Sequence, residues 1–529
     1  MLRNPSSHLL TAGLFAVLAG PASALQSTTF GGQNIIATGA TAVADLSPAD
    51  LDNDGDVDVA AALTGADRVV WYRQNATGTF TQRVLDSSMP NVTSVHTADL
   101  DGDGDMDIVA GAPGAFFPPG NGNALRVYRN NGGGNFSTIS IPQQVPGIWN
   151  LTTDDMDGDG DLDIVISLGA IFDQIGWFPN QGNLSFGGVR AISTSSATSS
   201  EPRDVHTADV DGDGDIDVLA ANYNGNDVSW YRNNGGGNSF TRVFLSSAAG
   251  ARNVRTADMD GDGVLDIVTT SVLDRTLAWF RGNGGGSFGT KRIISQANNE
   301  YRGLHLADVD LDGDLDVFTT SETNNRVDWY ENLGSGNFSS SYVITNAMTG
   351  ANHVNSADMD GDGVPDIVAG APGNNRITWY ENLYDPNALG TNYCTAAFNS
   401  SGGQGTVSAT GSNVVSDNDL TITASSLPNN SFGFFLVSQT QFFLPNPGGS
   451  QGNLCVAGDI GRYVGPGQIQ NSGSTGTFSL LLDLTQVPQP TGFVSVQAGE
   501  TWNYTTWFRD AIFGIPVSNF TDGFEITFQ

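Results

Sequence analysis

An aspartate loop recurs seven times along the chain, starting at Asp50, Asp99, Asp155, Asp209, Asp258, Asp308 and Asp358. Each copy has aspartate at its first, third, fifth and ninth positions and glycine at the sixth, and runs into a short β-branched stretch. Successive starts lie 49, 56, 54, 49, 50 and 50 residues apart. A period near fifty marks a repeat architecture, in which each unit buries its apolar face only against its neighbours.

The second copy shows the unit clearly. Val92 to Ala98 alternates as a strand, and the loop from Asp99 to Asp107 leads into a second strand at Ile108-Val109-Ala110. A third strand, Leu125 to Tyr128, turns at Asn130-Asn131-Gly132-Gly133-Gly134 into a fourth that opens at Phe136. Four short strands joined by Gly/Asn turns fit one blade of a β-propeller. Other copies carry an aromatic pair on the third strand, such as Trp71-Tyr72, Trp230-Tyr231 and Trp329-Tyr330. These rings read as packing between blades. Fourth strands open at Phe80, Phe136, Phe186, Phe240, Phe288 and Phe338, but none follows Leu383. Phe30 to Ile36 matches the missing template. The spacing therefore predicts an all-β, seven-bladed propeller closed by its N-terminal strand, which removes an exposed edge.

The loops predict calcium. A hard cation takes six to eight oxygens in a flexible cage. The third positions are Asp52, Asp101, Asp157, Asp211, Asp260, Asp310 and Asp360, and the fifth are Asp54, Asp103, Asp159, Asp213, Asp262, Asp312 and Asp362. The ninth are Asp58, Asp107, Asp163, Asp217, Asp266, Asp316 and Asp366. A backbone carbonyl would come from position seven: Asp56, Asp105, Asp161, Asp215, Val264, Asp314 or Val364. Glycine at position six supplies the positive φ of a sharp turn. Oxygen-only donors disfavour zinc and copper. EF-hands are excluded, because position twelve, Ala61 in the first copy, is not glutamate and lies in a predicted strand. The bland alternative is a set of solvated acidic turns.

The 529 residues carry a formal charge of −35, yet 33 of the 56 acidic residues belong to the loops. Seven Ca²⁺ ions, one per blade, would leave about −21. Lys291 is the single lysine and no basic run occurs, so nucleic acid and anionic membrane surfaces are excluded as partners. Arg3, the apolar run Leu9 to Ala19 and Ala22-Ser23-Ala24 read as a signal peptide over residues 1–24. No stretch reaches membrane-spanning length. The expected product is secreted or held at the cell surface, and monomeric by default. Cys394 and Cys455, the two cysteines, are expected to form a disulfide, contributing roughly 4 kcal/mol if unstrained.

The chain resembles the FG-GAP and VCBS repeat propellers, relatives of the integrin alpha-chain head. Gly111-Ala112-Pro113 and Gly370-Ala371-Pro372 match the GAP element, while Phe30-Gly31, Phe186-Gly187 and Phe288-Gly289 match the FG element. The resemblance spans roughly residues 28 to 385 and implies structural Ca²⁺ in the loops. Domains are expected at 25–385 for the propeller and 386–529 for a C-terminal β-sandwich. The tail alternates apolar residues at Leu420-Ile422-Ala424, Phe478-Leu480-Leu482 and Phe524-Ile526-Phe528. It is similar to C-terminal modules of secreted proteins from planctomycete-like bacteria.

Two insertions, Pro113 to Asn123 with Phe116-Phe117-Pro118-Pro119, and Ser193 to Pro202, fall on the face away from the loops. Length variation on one face marks a binding surface for an extracellular protein or carbohydrate. Three residues before each loop stand Ser47, His96, Thr152, His206, Arg255, His305 and Asn355. They would hydrogen-bond their own loops or line a wet channel; the alternative is metal binding or proton transfer by the histidines. A calcium-assisted polysaccharide lyase or hydrolase is the enzymatic alternative, with Lys291, Arg255 and the histidines as its cationic groups. No catalytic residue is assigned. Trp502, Tyr504 and Trp507 in the tail read as core, or as a sugar platform.

Overall fold

A computed structural model describes residues 30–113, 124–141, 143, 145, 147–169, 173–193, 201–296, 300–384, 389–512 and 515–529. The leader, the Phe116–Pro119 segment and most of the Ser193–Pro202 link lie outside them. The chain divides into two compact units, Thr28–Pro386 and Asn387–Gln529.

Among the described residues the larger unit contains seven four-stranded antiparallel sheets and is propeller-like. Strand β1 (Phe30–Thr38) pairs with Arg376–Asn382, placing Phe30 opposite Asn382 and Thr38 opposite Arg376. The first sheet runs in chain order through β2 (Val43–Ala49), β3 (Asp58–Leu63), β4 (Arg68–Gln74) and β5 (Phe80–Asp86). Five further sheets repeat that order, and the seventh takes β1 as its outer strand. Each aspartate loop joins a first strand to a second. Every residue of the second strands Asp58–Leu63 and Asp266–Ser271 is buried. A strand covered on both faces selects a continuous apolar or small run, which is why these segments do not alternate.

Packing between sheets explains the aromatic repeat. Trp71 meets Phe136 of the second sheet edge-on at 5.7 Å, and Trp279 meets Phe338 of the sixth at 6.4 Å. Phe30 of β1 does the same to Trp329, at 5.9 Å. The glycine turns fit over these tryptophans. Gly134, at φ +70°, lies so close that a Cβ there would stand 2.2 Å from Trp71. Side chains are excluded twice over, by conformation and by space.

Not every outer strand opens at its phenylalanine. Phe186, Phe288 and Phe338 make isolated bridges to Asn180, Gly282 and Asn332. Pairing resumes only at Arg190–Ala191, Arg292–Gln296 and Tyr342–Thr345. The residue after each phenylalanine turns its N–H back to the third strand, Gly289 to the Arg281 carbonyl at 2.7 Å and Ser339 to the Glu331 carbonyl at 2.9 Å. Such an irregularity bends the edge and interrupts pairing.

In the smaller unit, a sheet built on Phe432–Ser438, Thr501–Ile512 and Gly523–Thr527 shares one core with a three-stranded sheet, Thr406–Gly411, Leu420–Ser425 and Phe478–Leu482. Ile422 and Leu420 pack with Phe435, Phe508 and Ile526 in that core. Trp502 and Tyr504 are buried there too, and Trp507 stacks on Phe434 at 5.1 Å. Trp502 and Tyr504 are thus core, as the sequence reading has them, and Trp507 is half-buried against Phe434. Cys394 and Cys455 form a disulfide.

Candidate metal centre

Each loop is wound around its first aspartate. The N–H of the sixth-position glycine donates to that carboxylate in every copy, from 2.7 Å at Gly263–Asp258 to 3.0 Å at Gly55–Asp50. The seventh residue's N–H donates to the fifth aspartate, as Asp56 does to Asp54 at 3.1 Å and Val364 to Asp362 at 2.9 Å. These bonds coil the backbone so that carboxylates one, three and nine converge. Oxygens of Asp50, Asp52 and Asp58 lie within 4.8 Å of one another, as do those of Asp99, Asp101 and Asp107. The third and fourth loops group likewise, while the fifth groups Asp258, Asp260 and Asp262.

The ninth aspartate has a second task. Asp58 accepts the Leu51 N–H at 3.1 Å and the Gln74 N–H at 2.7 Å, tying the loop's start to the end of β4. Asp107 and Asp366 repeat this with Leu100 and Asn130, and with Met359 and Asn382. Burial pushes Asp58, Asp107, Asp163 and Asp366 up to about 7, and Asp316 to about 8. Burial followed by the neighbouring carboxylates of Asp312, Glu331 and Asp308 pushes Asp310 up to about 7. A nearby cation is what favours the charged form of such groups.

The donor set fits a hard cation on a further observation. At the third position, Oδ1 of Asp52, Asp101, Asp157, Asp211, Asp260 and Asp310 is buried without a hydrogen-bond partner, and so is Oδ1 of Asp50. Buried carboxylate oxygens are rarely left bare. Six copies leave the same atom bare, as a ligand position would.

Two neighbours of the loops escaped the sequence reading. An arginine just after the aromatic pair braces four copies. Arg129 Nε reaches Asp101 at 2.7 Å and its NH2 reaches Asp103 at 3.2 Å; Arg232 spans Asp211 and Asp213 at 2.6 and 2.8 Å. Arg73 and Arg281 do the same in the first and fifth loops. In the third loop that position is Pro179, and Arg190 approaches Asp157 at 3.5 Å instead. In the sixth and seventh it is Glu331 and Glu381.

One residue further on stands an amide hook. Asn130 Nδ2 donates to the Leu51 carbonyl in the preceding sheet's loop at 2.8 Å, and Asn180 to Leu100 at 2.8 Å. Asn233, Asn332 and Asn382 reach Met156, Met259 and Val309 in the same way. Gln74 in the first sheet reaches Met359 in the seventh loop at 2.9 Å. The signal was present as a recurring tetrad, Trp71-Tyr72-Arg73-Gln74 or Trp379-Tyr380-Glu381-Asn382.

Among the polar residues three before each loop, Ser47, His206 and His305 serve neighbouring sheets rather than their own loops. Ser47 Oγ meets Thr97 Oγ1 at 2.8 Å, His206 Nε2 meets Thr256 Oγ1 at 2.9 Å, and His305 Nε2 meets Ser356 Oγ at 2.8 Å. First strands lie side by side, so the adjacent sheet is nearer than the loop ahead. Burial, with the Arg255 guanidinium, pushes His206 and His305 down to about 3. Lys291 pairs with Asp274 at 3.2 Å and Arg255 with Asp204 at 2.6 Å.

The FG-GAP-like repeat model matches residues 50–110, 115–166, 209–269, 272–319 and 308–369, and the FG-GAP repeat model matches 351–389. The chain belongs to the FG-GAP-like repeat family. No curated protein matches it. A solved structure of an Agrocybe aegerita lectin, described for specific recognition of non-reducing terminal N-acetylglucosamine, aligns at 20% identity and TM-score 0.43, covering 64% of this chain and 85% of the lectin. Among the described residues no helix is long and apolar enough to cross a membrane.

Proposed function

We propose that this is an exported seven-bladed propeller, closed by β1, whose seven loops each hold one structural Ca²⁺, and that it serves as a binding or adhesion module for an extracellular protein or carbohydrate. The observation that carries the calcium reading is the bare third-position oxygen repeated in six loops. Asp50, Asp52, Asp54 and Asp58, with the Asp56 carbonyl, would hold the ion of the first blade, and the equivalent residues the others. Calcium supplies charge compensation and fixes the coil of the loop. The chain's own groups do the rest: the ninth aspartate ties the loop to the third strand, and the amide hook ties it to the next sheet. Closure is supported by the hook from Gln74 to Met359 and by the pairing of β1 with Arg376–Asn382. Export is supported by the disulfide, which oxidising compartments favour.

Length variation that the sequence expects on one face is where a binding surface would lie. Lys291, Arg255, His206 and His305, cationic groups a lyase would use, are already engaged by Asp274, Asp204 and strand hydroxyls. Glycan and protein arrays with the calcium-loaded chain test the reading. Binding that disappears on chelation and returns with Ca²⁺ is expected. Unsaturated products released from uronate polymers would overturn it in favour of the lyase.

A further inference from the structure

First strands of the seven sheets border a polar cavity of about 70 Å³, lined from Asp45 in the first sheet to His353 in the seventh. One water occupies roughly 30 Å³ in the liquid, so the space suits one small charged group. Four arginines line it, Arg203, Arg252, Arg255 and Arg302. This concentration stands out in a chain with 21 basic residues against 56 acidic ones.

The lining carboxylates are already committed. Asp204 accepts Arg255 NH1 at 2.6 Å and the Val254 N–H at 3.0 Å. Asp45 faces His353 Nδ1 at 2.9 Å and accepts Ser94 Oγ and the Val95 N–H, each at 3.0 Å. Arg302 Nε turns to Glu322 at 2.7 Å. Arg203 pairs with Glu201 and lies over the Trp149 ring at 4.0 Å, which fixes its plane. Arg252 has no ion-pair or hydrogen-bond partner among the described residues. Burial, then repulsion from Arg302 and Arg203, pushes it down to about 10, against the weaker pull of Asp204 and Glu322. It stays charged at neutral pH, half-buried and with no anionic partner of its own.

We propose that this cavity is an anion site, in which Arg252, flanked by Arg203 and Arg302, receives a single carboxylate or sulfate group. The guanidinium fork matches such oxyanions in geometry and charge. The group can arrive as a free ion or hung from an acidic polysaccharide. This deepens the binding-module reading by naming the chemistry a ligand presents, and it does not involve the aspartate loops.

Isothermal titration of the calcium-loaded chain with sodium sulfate, sodium glucuronate and polygalacturonate tests it. Binding of at least one probe is expected, weakened roughly tenfold or more by Arg252→Gln and less by Arg252→Lys, with the calcium-loaded melting temperature retained. A preference for polygalacturonate over both small anions identifies a polymer as the source; equal affinities identify the free ion. Silence from all three probes, or a folded Arg252→Gln chain that binds as the parent does, overturns the proposal. Blank glycan and protein arrays beside intact sulfate binding would contradict the proposed function and leave this site standing.

Discussion

The fourth and sixth loops carry the same five aspartates but differ in the residue behind them, and in Gly212 against Leu311 at the fourth position. Behind the fourth, Arg232 bridges Asp211 and Asp213 at 2.6 and 2.8 Å. Behind the sixth, Glu331 faces Asp310 and Asp312, and adds to the repulsion that pushes Asp310 up to about 7. The arginine offsets part of the carboxylate repulsion whether or not a cation is present. The glutamate increases it. A braced loop should therefore persist without metal but bind it less tightly, whereas an unbraced loop should depend on metal and bind it more tightly. One ligand motif thus yields two kinds of site, set by a residue outside it.

The largest expected effect is removal of calcium itself. Each ion at a hundredfold excess over its Kd stabilises by about 2.7 kcal/mol, so chelation should lower the melting temperature by roughly 10 °C or more. Hydrogen exchange should show the sixth and seventh loops opening before the first, second, fourth and fifth. Uniform opening would break the comparison.

Hooks offer the next test. Asn382→Ala strips the amide from the unbraced sixth loop, and Asn130→Ala does so for the braced first. Each leaves buried carbonyls short of a donor, a loss of about 1–3 kcal/mol. In thermal melts without calcium, Asn382→Ala should be the more damaging; the reverse order would contradict the brace. Exchanging the neighbours sharpens the point: Arg232→Glu should tighten calcium at the fourth loop by about tenfold, and Glu331→Arg should weaken the sixth by a similar factor. Microcalorimetry reads both.

The smallest effect separates the channel wall from the loops. His206 and His305 lie near 3 in the folded chain against 6.5 for an unperturbed imidazole. The unfolded chain therefore binds more protons between these values, and stability falls as pH drops through 6.5 towards 3. At saturating calcium, His206→Asn with His305→Asn should flatten the decline of melting temperature between pH 7 and 5. An unchanged slope would assign the decline to other groups.

Much of this was legible because the loops repeat. Sixfold comparison exposed the strand template that Phe30 matches, and the spacing of the aspartates needed no structure. The braces and hooks also recur but went unread, since Arg73 lies more than a dozen residues beyond its loop and Gln74 reaches the loop of another sheet. Interrupted outer strands at Phe288 and Phe338 were not legible, because strand propensity does not report a backbone that turns its N–H groups inward. The partners of His206 and His305 depended on which strands lie side by side, a fact of tertiary structure. Trp502 and Tyr504 were legible as core, but the strands they pack against were not, as alternating strands in a two-sheet unit look alike on both faces until the core is known.

Native mass spectrometry of the calcium-exchanged chain, with each ion's affinity followed by titration, bears most directly on the metal reading. About seven bound ions are expected, one for each carboxylate group, with the tightest assigned to the sixth and seventh loops by Asp310→Ala and Asp360→Ala. A chain that binds no calcium, and melts identically in chelator, would contradict it.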